Sequence, residues 1–249
     1  MLQACLNGAR SPREHYQLPV RPEQLARAAA DAVTAGADEI HLHPKAHDGT
    51  DSLDPHLVAA ALRTVRAAVP RTPVGITTST WSTPDAAARI RALRAWTALP
   101  DHATVDWHEP GAADVTDALL RRGIAVHAVV PSGTDADDAL LRSPLRDRIT
   151  RVVARVTDPT GGATTTAAAL RDRLRPLTAP VLLHGTGPGA WTVLALARRG
   201  GGPARIGLED TLVLPDGRIA DDTAALVTAA LAPHHHPRRP RPDTPTPPG

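Results

Sequence analysis

The sequence predicts an α/β fold, specifically a (β/α)8 TIM barrel. Three observations predict it. Short apolar runs alternate along the chain with longer segments of helical period, the pattern of a parallel sheet under helical cover. Eight such strand–helix units can be counted, which favours a closed barrel over an open doubly wound sheet. Polar and reactive side chains collect just after the apolar runs, at the end of the strands where barrels of this class carry their chemistry.

The units follow in order. Run 2–6 leads into a helix over 21–35, with Pro22 in the first turn, where its missing N–H costs nothing, and Gly36 behind it as a C-cap. Run 39–43 precedes a helix over 55–69. Pro55 opens that helix, and Leu57, Ala61, Leu62 and Val65 recur at three- and four-residue spacing. Run 74–78 precedes a helix over 84–98, with Pro84 in its first turn and Ser82-Thr83 ahead of it as a cap. Run 104–107 pairs with a helix over 112–122 that Gly123 ends. The fifth unit is the weakest: run 124–130 is followed by a Pro-Ser-Gly-Thr turn and a short helix over 135–142. Runs 149–156, 181–184 and 204–208 pair with helices over 164–174, 189–199 and 221–232. These units make residues 1–232 one barrel domain. The remaining 233–249 are rich in Pro, Arg and Thr with almost no apolar residues, so the expectation is a disordered tail, in which His234, His235 and His236 could take up a metal adventitiously.

Composition narrows the function classes. The chain has 249 residues, enough to bury a sizeable core, and 42% are hydrophobic. No apolar run reaches the roughly 18 residues that a membrane helix needs. Met1 to Leu6 is apolar but short and has no basic leader, and the one cysteine, Cys5, excludes an internal disulfide framework. The expectation is a cytoplasmic protein with no membrane partner. Net charge is +2, much of the excess base lies in the tail, and aromatics are only 2%, a poor match to a nucleic-acid binder.

The polar residues after the strands are specific. Strand 1 ends at Asn7-Gly8, strand 2 at His41-Leu42-His43-Pro44-Lys45, strand 3 at Thr77-Thr78-Ser79-Thr80 and strand 4 at Trp107-His108-Glu109. Strand 5 carries His127, strand 7 ends at His184-Gly185, and Glu209-Asp210 follow strand 8. Residues i and i+2 of a strand share a face, so His41 and His43 project to the barrel axis together and can occupy adjacent positions on one metal. Glu209 is the candidate third ligand, because strand 8 closes beside strand 1 and strand 2 lies one further along. Taken alone, so short a motif is more often a pair of polar rim residues. Arg205 and Asp210 can pair if the strand end curls, giving either a positioned base or a structural salt bridge. Ser79 and Thr80 can donate to an oxyanion or cap a helix. The glycine-rich turn after His184 can admit phosphate at a helix N-terminus or serve as a plain loop.

Together these residues carry a resemblance. In order the chain reads Leu6-Asn7-Gly8-Ala9-Arg10, Pro22-Glu23-Gln24-Leu25-Ala26, Ala35-Gly36-Ala37, His41-Leu42-His43-Pro44, Asp48-Gly49 and Ser52-Leu53. Later come Trp107-His108-Glu109-Pro110-Gly111, Leu182-Leu183-His184-Gly185, Arg205-Ile206-Gly207-Leu208-Glu209-Asp210 and Leu214-Pro215-Asp216-Gly217. Over about residues 2–231 this resembles the β-keto acid cleavage enzymes, whose namesake acts on 3-keto-5-aminohexanoate. The resemblance implies a barrel that takes Zn2+ on His41, His43 and Glu209. It implies exchange of acyl groups between a β-keto acid and acetyl-CoA, yielding acetoacetate and a new acyl-CoA. It makes Asp210 the base, Arg205 its partner, Ser79 a substrate contact and Glu109 a polar site position. Asn7, Lys45, Thr80, His127 and His184 are then expected substrate-binding residues, and a homo-oligomer is expected. The chain departs from the family pattern at Lys45 (Arg is usual), Trp81 (Gly), His127 (an acid) and Thr186 (Glu), which bears on the substrate and not on the metal. Two rival readings are a Schiff-base aldolase using Lys45, the sole lysine, and a barrel that binds metal or ligand without turnover.

Overall fold

The computed structural model describes residues 1–157 and 161–232; the tail expected to be disordered lies outside them. Eight parallel strands close into a barrel in sequence order: β1 (Leu2–Cys5), β2 (Glu39–Leu42), β3 (Val74–Thr77), β4 (His102–Asp106), β5 (Ala125–Pro131), β6 (Arg151–Val156), β7 (Val181–Gly185) and β8 (Ala204–Gly207). Strand β1 pairs with β2 on one side (Cys5 opposite His41) and with β8 on the other (Gln3 opposite Arg205). The helices are α1 (Pro22–Thr34), α2 (Pro55–Ala68), α3 (Ala86–Ala95), α4 (Ala112–Leu120), α5 (Ala136–Arg142), α6 (Ala163–Arg173), α7 (Ala190–Arg199) and α8 (Thr223–Leu231). The fold class is therefore the expected one. Among the described residues no helix is long and apolar enough to cross a membrane.

Local chemistry sets the element ends. Pro22 sits in the first turn of α1, and Gln24 reaches back to accept from Val20 N and Arg21 N. Asp54 caps α2 through the amides of His56 and Leu57, and Leu25, Ala29, Ala32 of α1 and Val58, Leu62, Val65 of α2 are buried at helical spacing. Two expectations are corrected. Helix α3 starts later than 84, and its cap is Asp85, which accepts from Ala87 N and Ala88 N; Pro84 and the Ser82-Thr83 pair belong to the preceding loop. Strand β4 starts earlier, at His102, a polar residue that interrupts the apolar pattern because it faces the lumen.

The barrel has two chemically different sides. Outward residues such as Ala4, Ile40, Leu42, Val74, Ile76 and Ile206 join the main apolar core beneath the helices. The lumen is unusually polar for a fold that normally fills it with branched aliphatics. Glu39 of β2 reaches across the axis to β6, where Arg151 Nη1 donates to both its oxygens at 2.7 and 2.9 Å, and Gln3 donates to it from β1. The ring of His102 lies where a Cβ at Gly75 would stand, 1.9 Å from Nε2, so β3 needs glycine there. Within the lumen Val129, Val153 and Leu182 of β5, β6 and β7 form a small apolar cluster of their own.

Candidate metal centre and cavity

A cavity of about 420 Å³ opens among the C-terminal ends of the strands. Its wall includes His41, His43, Ser79, His184, Arg205 and Glu209 among the residues expected from the sequence. His41 Nε2 lies 3.9 Å from Glu209 Oε2, and His43 Nε2 lies 3.8 Å from Glu209 Oε1. The three residues present ligand atoms within 4.8 Å of one another. The loop that carries Glu209 meets the loop after β1 at Gly8, which has φ +58° and no room for a side chain: a Cβ would stand 2.3 Å from Glu209 Cγ.

Polar bookkeeping supports a cation at this point. Glu209 Oε2 is buried and accepts no hydrogen bond, while Oε1 meets Arg205 Nη2 at 2.5 Å. Burial opposes charge on Glu209, but Arg205, His43 and His41 together hold its carboxyl well below the usual range. Burial, aided by Arg205, pushes His41 well below the ordinary histidine value, so its imidazole is neutral, the form that ligates a metal. His43 Nδ1 pairs with Asp51 Oδ2 at 2.7 Å, which orients the ring and leaves Nε2 for the cavity. Two ligand atoms on one tetrahedral zinc stand roughly 3.4 Å apart. The donor set and its spacing thus fit a small divalent cation.

Beside this group, Arg205 donates to Asp210 Oδ1 from Nε (3.2 Å) and Nη2 (3.0 Å). Asp210 is fully buried, and its other oxygen, Oδ2, has no partner among the described residues. The glycine-rich turn after β7 holds this residue too: Gly187 N donates to Asp210 O at 2.7 Å. His184 Nδ1 approaches Asp210 Oδ1 to 3.2 Å, and burial, then Arg205, keeps that imidazole low and uncharged. Residues 5 apart in the chain are thereby locked into one network at the end of β8.

Several expected residues sit behind the wall. Asn7 fixes the backbone of His43, accepting from its amide (2.8 Å) and donating to its carbonyl (2.9 Å). Lys45 Nζ is held 2.5 Å from Asp51 Oδ1. Glu109 accepts from Thr80 N and Oγ1 and from Arg89 Nη1 (2.6 Å), so it latches the β3 and β4 loops together. His127 lies lower in the lumen, stacked on His102 with centroids 4.0 Å apart. Asn7, Lys45, Thr80, Glu109, His127 and Asp210 do not line the cavity. Glu39, His102 and His127 form a second group with ligand atoms within 4.8 Å, one layer below, where Arg151 already neutralises the carboxylate.

Residues 1–121 and 151–240 match the β-keto acid cleavage enzyme family, which is more than half of the chain. The chain belongs to this family. The match leaves out residues 122–150, which hold β5 and α5. Among solved structures, ObcA in a binary complex with oxaloacetate is similar at TM-score 0.66 and 19% identity, over 85% of this chain and 62% of ObcA. The chain thus spans less than two thirds of ObcA. Type I 3-dehydroquinate dehydratase from Clostridium difficile (TM-score 0.61, 9% identity, 92% of this chain and 90% of that one) and 3-dehydroquinate dehydratase from Enterococcus faecalis (0.56, 10%, 83% and 88%) share the fold. No functionally curated protein matches the chain in sequence.

For this β-keto acid cleavage family member, the site also contains residues that sequence reasoning missed. Asp51 binds both His43 and Lys45, and nothing local marks it, because it lies in a loop eight residues beyond its histidine. Asp106 and Arg155 line the cavity from β4 and β6 and pair at 2.7 Å. Their signal was polar residues at even offsets within apolar runs, Arg151 and Arg155 four apart on β6 and His102, Thr104 and Asp106 two apart on β4: residues of a buried strand that share the face turned to a polar lumen.

Proposed function

We propose that this chain is a zinc enzyme that cleaves a β-keto acid, with acetyl-CoA as co-substrate and acetoacetate and a new acyl-CoA as products. One observation carries the reading: two imidazole nitrogens converge at 3.9 and 3.8 Å on the two oxygens of Glu209, within the wall of an open cavity. His41, His43 and Glu209 would hold the ion, which when bound withdraws electron density from a keto group. The barrel's own residues do the rest. Asp210, its charge held by Arg205, takes a proton from the carbon between keto group and carboxylate. That carbon attacks the thioester of acetyl-CoA and expels the CoA thiolate. The thiolate then adds to the substrate's former keto carbon, and breaking the bond beside it releases acetoacetate, with Asp210 returning its proton. Ser79 and His184 face the space where the substrate lies and supply hydrogen bonds to it.

The Schiff-base alternative finds little support, because Lys45 is held in a buried ion pair with Asp51, which keeps its amine charged rather than nucleophilic. The test is metal analysis of the purified full chain together with an assay of a β-keto acid panel and acetyl-CoA, reading acyl-CoA formation. About one zinc per chain, lost in His41→Ala together with turnover, is expected. Full activity in metal-free protein, or no acyl-CoA from any β-keto acid, would overturn the reading.

A further inference from the structure

The wall of the cavity opposite the metal ligands has its own chemistry. In an eight-stranded barrel β2 and β6 face each other across the axis, as the Glu39–Arg151 bridge demonstrates one layer down. His41 and His43 belong to the β2 side, and Arg155 lies near the end of β6. Arg155 Nη2 donates to Asp106 Oδ1 at 2.7 Å, and among the described residues the guanidinium makes no other hydrogen bond. Both side chains line the cavity, but Asp106 is almost fully buried whereas the Arg155 side chain is 22% exposed, so the cation is the more accessible member of the pair. The other two arginines of the wall are engaged: Arg10 by Glu14 and the Leu208 carbonyl, Arg205 by Glu209 and Asp210. The lining beside Arg155 includes Val129 of the neighbouring strand β5, part of the apolar patch on the inner wall.

We propose that Arg155 is a specificity-determining residue that receives a second carboxylate at the far end of the substrate. The substrate class is then a β-keto dicarboxylate: the keto acid end lies at the metal group, a short aliphatic segment runs over Val129, and the distal carboxylate takes a free edge of the guanidinium. Asp106 fixes the fork in place, and a planar guanidinium pre-set in this way matches a carboxylate in bidentate geometry. This proposal rests on the reading of the site as a β-keto acid site, and the experiment separates the two.

The zinc-loaded full chain is assayed with acetyl-CoA and two β-keto acids of equal carbon number, 3-oxohexanedioate and 3-oxohexanoate. The wild type should prefer the dicarboxylate by about tenfold to a hundredfold in kcat/KM, chiefly through KM, the range expected for a hydrogen-bonded charge. Arg155→Met should abolish that preference, and Arg155→Lys should restore part of it. Because Arg155→Met leaves the Asp106 carboxylate buried without its partner, the double variant with Asp106→Asn is measured alongside, with zinc content as the check that the site is intact. A wild-type preference for 3-oxohexanoate, or a dicarboxylate preference that survives both variants, overturns the proposal while leaving the β-keto acid reading standing. If neither compound turns over and no member of the β-keto acid panel does, that reading has failed instead. Calorimetric titration with hexanedioate and hexanoate then still decides the role of Arg155: tighter hexanedioate binding that disappears in the variants upholds it, and equal binding of the two removes it.

Discussion

Single side chains in this protein act through what holds them. His43 offers Nε2 to the cavity only because Asp51 takes its Nδ1 and Asn7 clamps its backbone from both sides. Asp51→Asn should therefore weaken zinc binding about 10- to 100-fold in a competition titration with a chelator, the usual cost of losing the partner behind a ligating histidine; unchanged affinity would mean that His43 is oriented by packing alone. Asp210 is separable from the metal in the same way. Its Oδ1 is committed to Arg205 while its Oδ2 has no partner, which suits a carboxylate that keeps one oxygen for a proton. Asp210→Asn should retain about one zinc per chain and lose turnover about 10²- to 10⁴-fold. Loss of metal in that variant would make Asp210 a structural support for Glu209.

Among the elements, the loops after β3 and β4 carry the next decision. Glu109 reads in the sequence as a polar site residue, yet its oxygens are taken by Thr80 and by Arg89, which is itself fully buried and bonded to Thr78 O and Pro110 O. This latch sets the position of the β3 loop that contributes Ser79 and Trp81 to the cavity wall. Glu109→Gln strands a buried guanidinium, so denaturant unfolding should show a loss of about 3–5 kcal/mol. Zinc content at low temperature should not change. A variant with unchanged stability and abolished turnover would instead assign Glu109 to the chemistry. Which loop residues face the substrate was not legible, because Ser79, Thr80 and Glu109 are chemically alike as site candidates. Only the ion pair to Arg89, twenty positions away in sequence, sorts them.

At the scale of the whole molecule, a polar lumen makes stability sensitive to acid. Burial lowers His102 from its ordinary value to about 4, with Arg151 adding to the effect and Glu39 opposing it, and burial also lowers His127 and His184. A histidine whose value is depressed by folding takes up its proton first in the unfolded chain, so the native state loses stability as pH falls from about 6.5 to about 4, and His102 adds nothing further below that. For His102 alone the loss is up to about 3 kcal/mol. Unfolding of zinc-stripped protein at pH 7, 5.5 and 4 should show this slope, and His102→Gln should flatten it; an equal slope in the variant would put the sensitivity elsewhere. The sequence by itself determined the eight units, their order, the strand ends that gather reactive residues, and the His41, His43, Glu209 and Arg205–Asp210 groupings. These are local: period two on strands, period 3.6 on helices, caps, and motifs a few residues long. The tertiary structure alone decided which polar residues share a wall and which are consumed in holding others. The contacts of Asp51, Glu109 and Asp106 join residues 8, 20 and 49 positions apart, and Glu39 meets Arg151 across 112. Closing the barrel sets those distances. No spacing along the chain encodes which side chains will meet across its axis, and so the place of Arg155 opposite the metal group came to light only once β6 stood opposite β2.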